Sequence, residues 1–251
     1  MGPDPSKDEA SIEAIRLGLD LGMNFIDTAE MYGAGHSEEV VARALEGHSE
    51  RVFVASKVSP RHFAHDDVLH SARMSLKRLN RKQMDLYQLH WPNPKIPIAE
   101  TMRAMEELVK DGLVRFIGVS NFSVEQMRDA QESLSHEKIV SNQIEYSLVD
   151  RSPESGLLQH CEKEGVTVIA YSPLGQGKIP RGRGPVFKVL DDIAARYGRS
   201  RNQIALAWVL QNDNVVAIPK ASDNSHVREN ASVAEWKLPS DERTRLDAAF
   251  S

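Results

Sequence analysis

The sequence holds one cysteine in 251 residues, Cys161. No disulfide can therefore close within it, which fits a reducing cytoplasm. In its helical context Cys161 reads as an inert buried thiol. Long apolar runs are missing as well, none approaching the roughly 18 residues of a membrane span. The opening "MGPDPSKDEASIEA" has neither a basic n-region nor an apolar h-region. The expectation is a cytoplasmic protein that is neither exported nor inserted in a membrane. A basic stripe is absent too: Lys and Arg are interleaved with Asp and Glu at a net charge of −5. Nucleic-acid binding thus lacks its electrostatic footprint. Nor is there a G-x-G-x-x-G at a strand-to-helix turn, since "GQG" and "GRG" near 175–184 sit in a polar loop. That argues against an open doubly wound dinucleotide-binding sheet.

What is present is an alternation. Seven β-rich runs, "NFIDTA" (24–29), "VFVASKV" (52–58), "DLYQLHW" (85–91), "VRFIGVSN" (114–121), "IVSNQIEY" (139–146), "VTVIAYSP" (166–173) and "NVVAIPKA" (214–221), are separated by amphipathic segments such as 9–21, 67–79, 98–111 and 123–133. The runs are almost continuously apolar, as strands of a parallel sheet covered on both faces must be. Gly112 in "DGL" can take the left-handed conformation that stops a helix. "SRNQ" at 200–203 opens another with a Ser-x-x-Gln capping box. Repeated strand–helix units imply right-handed crossovers and a parallel sheet. A composition of 41% hydrophobic and 27% charged residues excludes a disordered chain. The length suits one α/β barrel, so residues 1–251 are expected to form a single domain. The expected fold is a (β/α)8 TIM barrel, N-terminally truncated, because only seven strands are recognisable and no strand precedes Glu9.

In such a barrel the chemistry gathers at the carboxyl ends of the strands. Asp27 ends the first apolar run, Tyr32 follows in its loop, Lys57 lies in "ASKVSP" and His90 in "LYQLHWP". An acid at the mouth of an apolar strand is costly to desolvate without a partner, and Lys57 is the expected partner of Asp27. The pair then serves Tyr32. A phenol titrates near 10 in water, so an unaided tyrosine is a poor acid, but a nearby ammonium favours the phenolate. His90 can orient a carbonyl oxygen by hydrogen bonding. Each residue alone reads equally well as structural: an ion pair, a rim aromatic, a core histidine. Their joint occurrence on successive strand ends favours a site.

The motifs "FIDTAEMYG", "ASKV", "LYQLHWP", "GVSNF", "NQIEYS", "AYSPLGQG" and "IPKAS" occur in the order that aldo-keto reductases show, and the sequence resembles that family from Asp8 to about Ala249. The resemblance implies a barrel enzyme that reduces aldehydes and ketones to alcohols by hydride transfer from NADPH, with NADH as the alternative cofactor. It makes Tyr32 the general acid, tuned by Lys57 and Asp27, with His90 orienting the carbonyl. It also implies that Ser120, Asn121 and Gln143 bind the nicotinamide carboxamide and that Tyr171 stacks on the ring. Ser172, Leu174 and Gly175 would lie along the pyrophosphate, where a turn of small residues can cradle phosphate. Lys220 and Ser222 resemble the residues that grip the adenosine 2′-phosphate, and Glu229 and Asn230 those near the adenine.

Three departures from the family stand out. Six residues after the lysine many members carry an arginine that pairs with the 2′-phosphate; here that position is His226. Members open with a hairpin and a first strand ending in a glycine-rich motif, and this sequence starts just after it. Longer members fold a C-terminal tail over the substrate pocket, so a chain ending at Ser251 is expected to have an open, permissive one. Trp91, beside His90, is expected to line the substrate site as a flat apolar wall. His62, His65, Asp66 and His70 match no standard zinc spacing, and no metal is expected. The rival reading is a cofactor-binding, redox-sensing or regulatory subunit with little turnover. A metal-dependent barrel hydrolase lacks a ligand set at the strand ends. The expected partner is a small carbonyl substrate, with the chain a monomer or weak homo-oligomer.

Overall fold

All seven apolar runs form strands, and each strand leads into a helix. The computed structural model describes residues 5–48 and 52–251, which fall into two units, Met1–Gln143 and Ile144–Ser251. The first unit runs α1 (Asp8–Asp20), β1 (Phe25–Asp27), α2 (His36–Ala44), β2 (Phe53–Val58), α3 (His65–Leu79), β3 (Met84–Leu89), α4 (Ile98–Lys110), β4 (Val114–Ser120), α5 (Val124–Glu132) and β5 (Ile139–Glu145), whose last two residues open the second unit. Neighbouring strands pair in parallel and in chain order, with Asp27 opposite Ala55, Lys57 opposite Gln88, Leu89 opposite Val119 and Ser120 opposite Gln143. That register brings the carboxyl ends of β1 to β5 to one side. β2, β3 and β4 are mostly buried: Val54, Ala55, Leu86, Tyr87, Leu89 and Val119 are almost without exposure, as are helix residues such as Met102 and Leu108.

The local signals behave as their chemistry requires. Ser123 accepts from Gln126 N at 3.2 Å while Gln126 Oε1 accepts from Ser123 N at 2.9 Å, which closes the capping box of α5. Gly112 has φ +71° just past α4, where a side chain would be strained. In β4 the register shifts between Ile117 and Gly118, and a Cβ on Gly118 would meet Ser141 Oγ at 2.3 Å. Only glycine allows β5 so close.

The second unit continues with α6 (Leu157–Glu164), β6 (Thr167–Tyr171), α7 (Lys178–Arg181), α8 (Pro185–Tyr197), α9 (Arg201–Val209), β7 (Val215–Ala217), α10 (Asn224–Ala231) and α11 (Ser240–Ala249). β6 and β7 are parallel, with Ala170 opposite Ala217. Ser200 and Gln203 form the capping box expected for α9, at 2.9 and 3.2 Å. The structure departs from the sequence reading at both outer strands and in one loop, β1 being three residues long rather than six. The stretch taken as polar loop carries the one-turn helix α7, and the last strand is three residues long rather than eight. Pro219 lacks an N–H, and the backbone turns out after Ile218, whose N–H makes the final ladder bond to Ala170 O at 3.1 Å.

Candidate active site

β1 ends at Asp27 and β2 carries Lys57 near its own end, so parallel pairing sets the acid and the base side by side. Lys57 Nζ donates to Asp27 Oδ2 at 2.5 Å and to Thr28 O at 3.0 Å. The lysine side chain is 0% exposed and the aspartate 7%. Burying an ammonium this deeply is tolerable only with a paired charge and satisfied protons. The other carboxylate oxygen, Oδ1, accepts from Gln143 Nε2 at 2.7 Å and Gln88 Nε2 at 3.3 Å. Asp27 is thus held from three sides, and Lys57 through it. The Lys57 ammonium lies 5.1 Å from the centre of the Tyr32 ring.

Tyr32 meets His90 edge to face, ring centres 5.5 Å apart, and His90 stacks on Trp91 at 4.4 Å. Burial and then the Lys57 charge lower the His90 pKa to about 4, so the imidazole is neutral near neutral pH. Trp91 is exposed beyond it, a flat apolar face beside the polar cluster. Asp27, Tyr32, Lys57 and His90, which the sequence set on three strand ends, are therefore one constellation. Such an arrangement sets a phenol ring beside a fixed cation and a neutral imidazole, a setting suited to proton donation.

Of the residues expected to meet a nicotinamide, the first unit brings three together. Ser120 Oγ donates to Gln143 O at 2.9 Å, and Asn121 Nδ2 donates to Ser120 Oγ at 3.0 Å and His90 O at 3.2 Å. Asn121 holds φ +63°, a left-handed conformation that asparagine tolerates better than most residues. Gln143 also does something the sequence did not suggest, by anchoring Asp27. Gln88 was missed altogether. Its signal was a polar residue inside the apolar run "LYQLH", two positions before His90 and hence on the same strand face.

In the second unit Tyr171 ends β6, and the turn beyond it is left-handed at Ser172 (φ +50°), Gly175 (φ +60°), Gln176 (φ +54°) and Gly177 (φ +87°). A Cβ on Gly175 would lie 2.2 Å from Val149 Cγ2. Leu174 is half-buried in that turn. Lys220 and Ser222 are exposed between β7 and α10, and among the described residues no ion pair engages Lys220. Asp223 caps α10 by accepting from Ser225 N at 2.8 Å. Glu229 accepts from Ser200 Oγ, and Asn230 is buried on the same helix. The Glu229 carboxylate is thus already tied to the start of α9. In the stretch 61–70, His62 pairs with Glu30, and His65 with Asp66 and Glu107.

The model of the aldo/keto reductase family matches residues 1–250. The chain belongs to that family. The methylglyoxal reductase YeaE of Escherichia coli is 40% identical to it over 100% of this chain and 88% of the relative. Among solved structures, the thermostable aldo-keto reductase Tm1743, in complex with the inhibitor epalrestat, superposes with a TM-score of 0.93 at 44% identity, covering 99% of this chain and 90% of its own. An aldo/keto reductase of Klebsiella pneumoniae, in complex with NADP and acetate, gives a TM-score of 0.94 at 37% identity, over 100% and 88% of the two chains. The fold class is accordingly the α/β barrel type of the aldo/keto reductases, and the chain is an oxidoreductase. No helix among the described residues is long and apolar enough to cross a membrane.

Proposed function

We propose that this aldo/keto reductase reduces small aldehydes, ketones and dicarbonyls with NADPH, using Tyr32 as general acid. One observation carries the reading: a fully buried Lys57 ammonium, locked by Asp27 at 2.5 Å, sits 5.1 Å from the Tyr32 ring beside a neutral His90. When bound, NADPH supplies the hydride. Tyr32 gives its phenolic proton to the carbonyl oxygen as negative charge develops there. The Lys57 cation stabilises the phenolate left behind, and the anchored Asp27 keeps that cation from drifting away. His90, neutral at working pH, hydrogen-bonds the same oxygen and fixes its direction. Trp91 offers the apolar wall against which a small carbonyl packs.

The chain's own residues fit the cofactor. In the first unit the Ser120, Asn121 and Gln143 side chains supply amide and hydroxyl groups suited to a carboxamide. In the second, Tyr171 offers a ring for stacking, and the left-handed turn through Ser172, Leu174 and Gly175 suits a pyrophosphate. Exposed Lys220 and Ser222 ahead of α10 suit a 2′-phosphate, and Glu229 and Asn230 would be the residues toward the adenine. The relative named methylglyoxal reductase and the neighbour solved with NADP support this substrate class and cofactor. On this reading residues 1–251 work as one cytoplasmic catalytic domain, as a monomer or weak homo-oligomer.

NADPH consumption with a panel of aldehydes and dicarbonyls tests the proposal. Tyr32→Phe removes one proton and little else, so kcat should drop by about 10²–10⁴ while cofactor affinity is kept. Activity within a few-fold of the wild type would remove Tyr32 from the role. Cofactor binding without turnover of any carbonyl would point instead to a redox-sensing subunit.

A further inference from the structure

Tyr32 and His90 must reach the same oxygen, yet neither sits on a strand. Tyr32 lies five residues beyond β1 and His90 just past β3, so the ladder alone does not set their separation. The backbone ties the loop of Tyr32 to β2 through Thr28 N, which donates to Ala55 O at 2.9 Å, and Glu30 N, which donates to Lys57 O at a long 3.4 Å. Tyr32 N bonds only within the loop, to Ala29 O at 3.0 Å. The Glu30 side chain, only 10% exposed, makes the stronger link. Its Oε1 accepts from Ser59 N at 2.7 Å and from His62 Nδ1 at 2.9 Å. Ser59 is buried at the exit of β2, so without Glu30 its N–H would be an unpaired buried donor.

The loop of His90 is tied to the same short turn. Asn93 Nδ2 donates to Pro60 O at 2.7 Å while its Oδ1 accepts from Lys95 N at 3.0 Å, which orients the amide. His90 N also donates to Val58 O at 3.1 Å, immediately before that turn. The Ser59–His62 turn is therefore a common anchor. Glu30 reaches it from the Tyr32 side and Asn93 from the His90 side.

We infer that Glu30 and Asn93 are positioning residues, which through the Ser59–His62 turn fix the distance between the Tyr32 hydroxyl and the His90 imidazole. The inference rests on the catalytic reading above. Neither residue touches the reacting atoms, so the role acts on geometry alone. A displacement of about 1 Å costs on the order of a hundredfold in rate.

The test uses Glu30→Ala, Glu30→Gln and Asn93→Ala in the full chain, each compared with wild type for kcat, KM, NADPH affinity and thermal midpoint. Glu30→Ala and Asn93→Ala should lower kcat about tenfold to a hundredfold, with NADPH affinity held within twofold. Glu30→Gln keeps an acceptor for Ser59 N and should recover most of the rate. If the alanine variants lose no rate, or if NADPH affinity falls as far as kcat, the positioning role is wrong. A second measurement needs no activity: the ring resonances of His90, followed by NMR against pH. Loosening its loop admits water, so its titration should move up from about 4 in Asn93→Ala. An unmoved titration would overturn the inference even if the wild type reduced no carbonyl, an outcome that would separately sink the proposed reaction.

Discussion

At the scale of single residues, His90 carries two consequences of one fact. Burial and the Lys57 charge hold its pKa near about 4. The folded protein therefore keeps a neutral imidazole where the unfolded chain, titrating near 6.5, begins to protonate. As pH falls from about 6.5 to about 4, the unfolded state binds a proton that the native state refuses, and stability drops; below about 4 both are charged and the loss levels off. The bound on this loss is about 3 kcal/mol. His90→Asn should remove it, so urea midpoints measured from pH 7 to pH 4.5 should fall less steeply in the variant. Equal slopes would show that His90 is not held neutral. Residue by residue, the site was legible wherever a polar side chain broke an apolar strand, as Asp27, Lys57 and His90 do. Gln88 breaks its strand too, but an uncharged amide reads as unremarkable until it is seen donating to Asp27.

At the scale of elements, the passage from β1 into α2 is the demanding one. Gly33, Ala34 and Gly35 are all left-handed, with φ of +61°, +54° and +94°. A Cβ on Gly35 would come within 2.6 Å of Arg78 Cδ and Nε. That arginine donates to Glu38 Oε2 at 2.7 Å, and Glu38, fully buried in the first turn of α2, also accepts from Ser56 Oγ at 2.6 Å on β2. Gly35→Ala thus adds backbone strain of about 1–2 kcal/mol and displaces a cation from a buried carboxylate. Gly22→Ala is the control, since Gly22 has φ +88° with nothing within 4 Å of a Cβ. Thermal midpoints should show Gly35→Ala as clearly the more damaging; equal losses would mean that Arg78 moves aside freely. The sequence announced α1, α3, α4 and α5 through their amphipathic periodicity, the end of α4 through Gly112, the start of α9 through its capping box, and every strand through its apolar run. It could not announce the Glu38–Arg78 pair, whose members are 40 positions apart and individually look like surface charges. Nor could it show that α7 interrupts a polar stretch, because four residues are too few to display a helical period.

At the scale of the whole molecule, the family was legible because seven motifs stand in one order along nearly the full chain, a pattern no single motif could supply. On the proposed reading, the groups suited to the nicotinamide carboxamide belong to the first unit and those suited to the 2′-phosphate to the second. Chemistry and phosphate recognition should therefore be separable by mutation. Lys220 is exposed after β7, whereas His226, on α10, stands where the family resemblance leads one to expect an arginine, and Arg228, two residues on, lies about 200° round the helix. A lone charge-assisted contact contributes about 1.5–3 kcal/mol, roughly tenfold to a hundredfold in affinity. Lys220→Ala should weaken NADPH by that factor, leave NADH nearly untouched and leave kcat at saturating cofactor unchanged, because Tyr32, Lys57 and His90 are undisturbed. His226→Arg should widen the NADPH preference by adding a second donor on the face that His226 already occupies. Fluorescence titration of both cofactors against the three proteins decides the matter: tighter binding of NADH by the wild type, or an NADPH preference that survives Lys220→Ala, would place the phosphate on other residues.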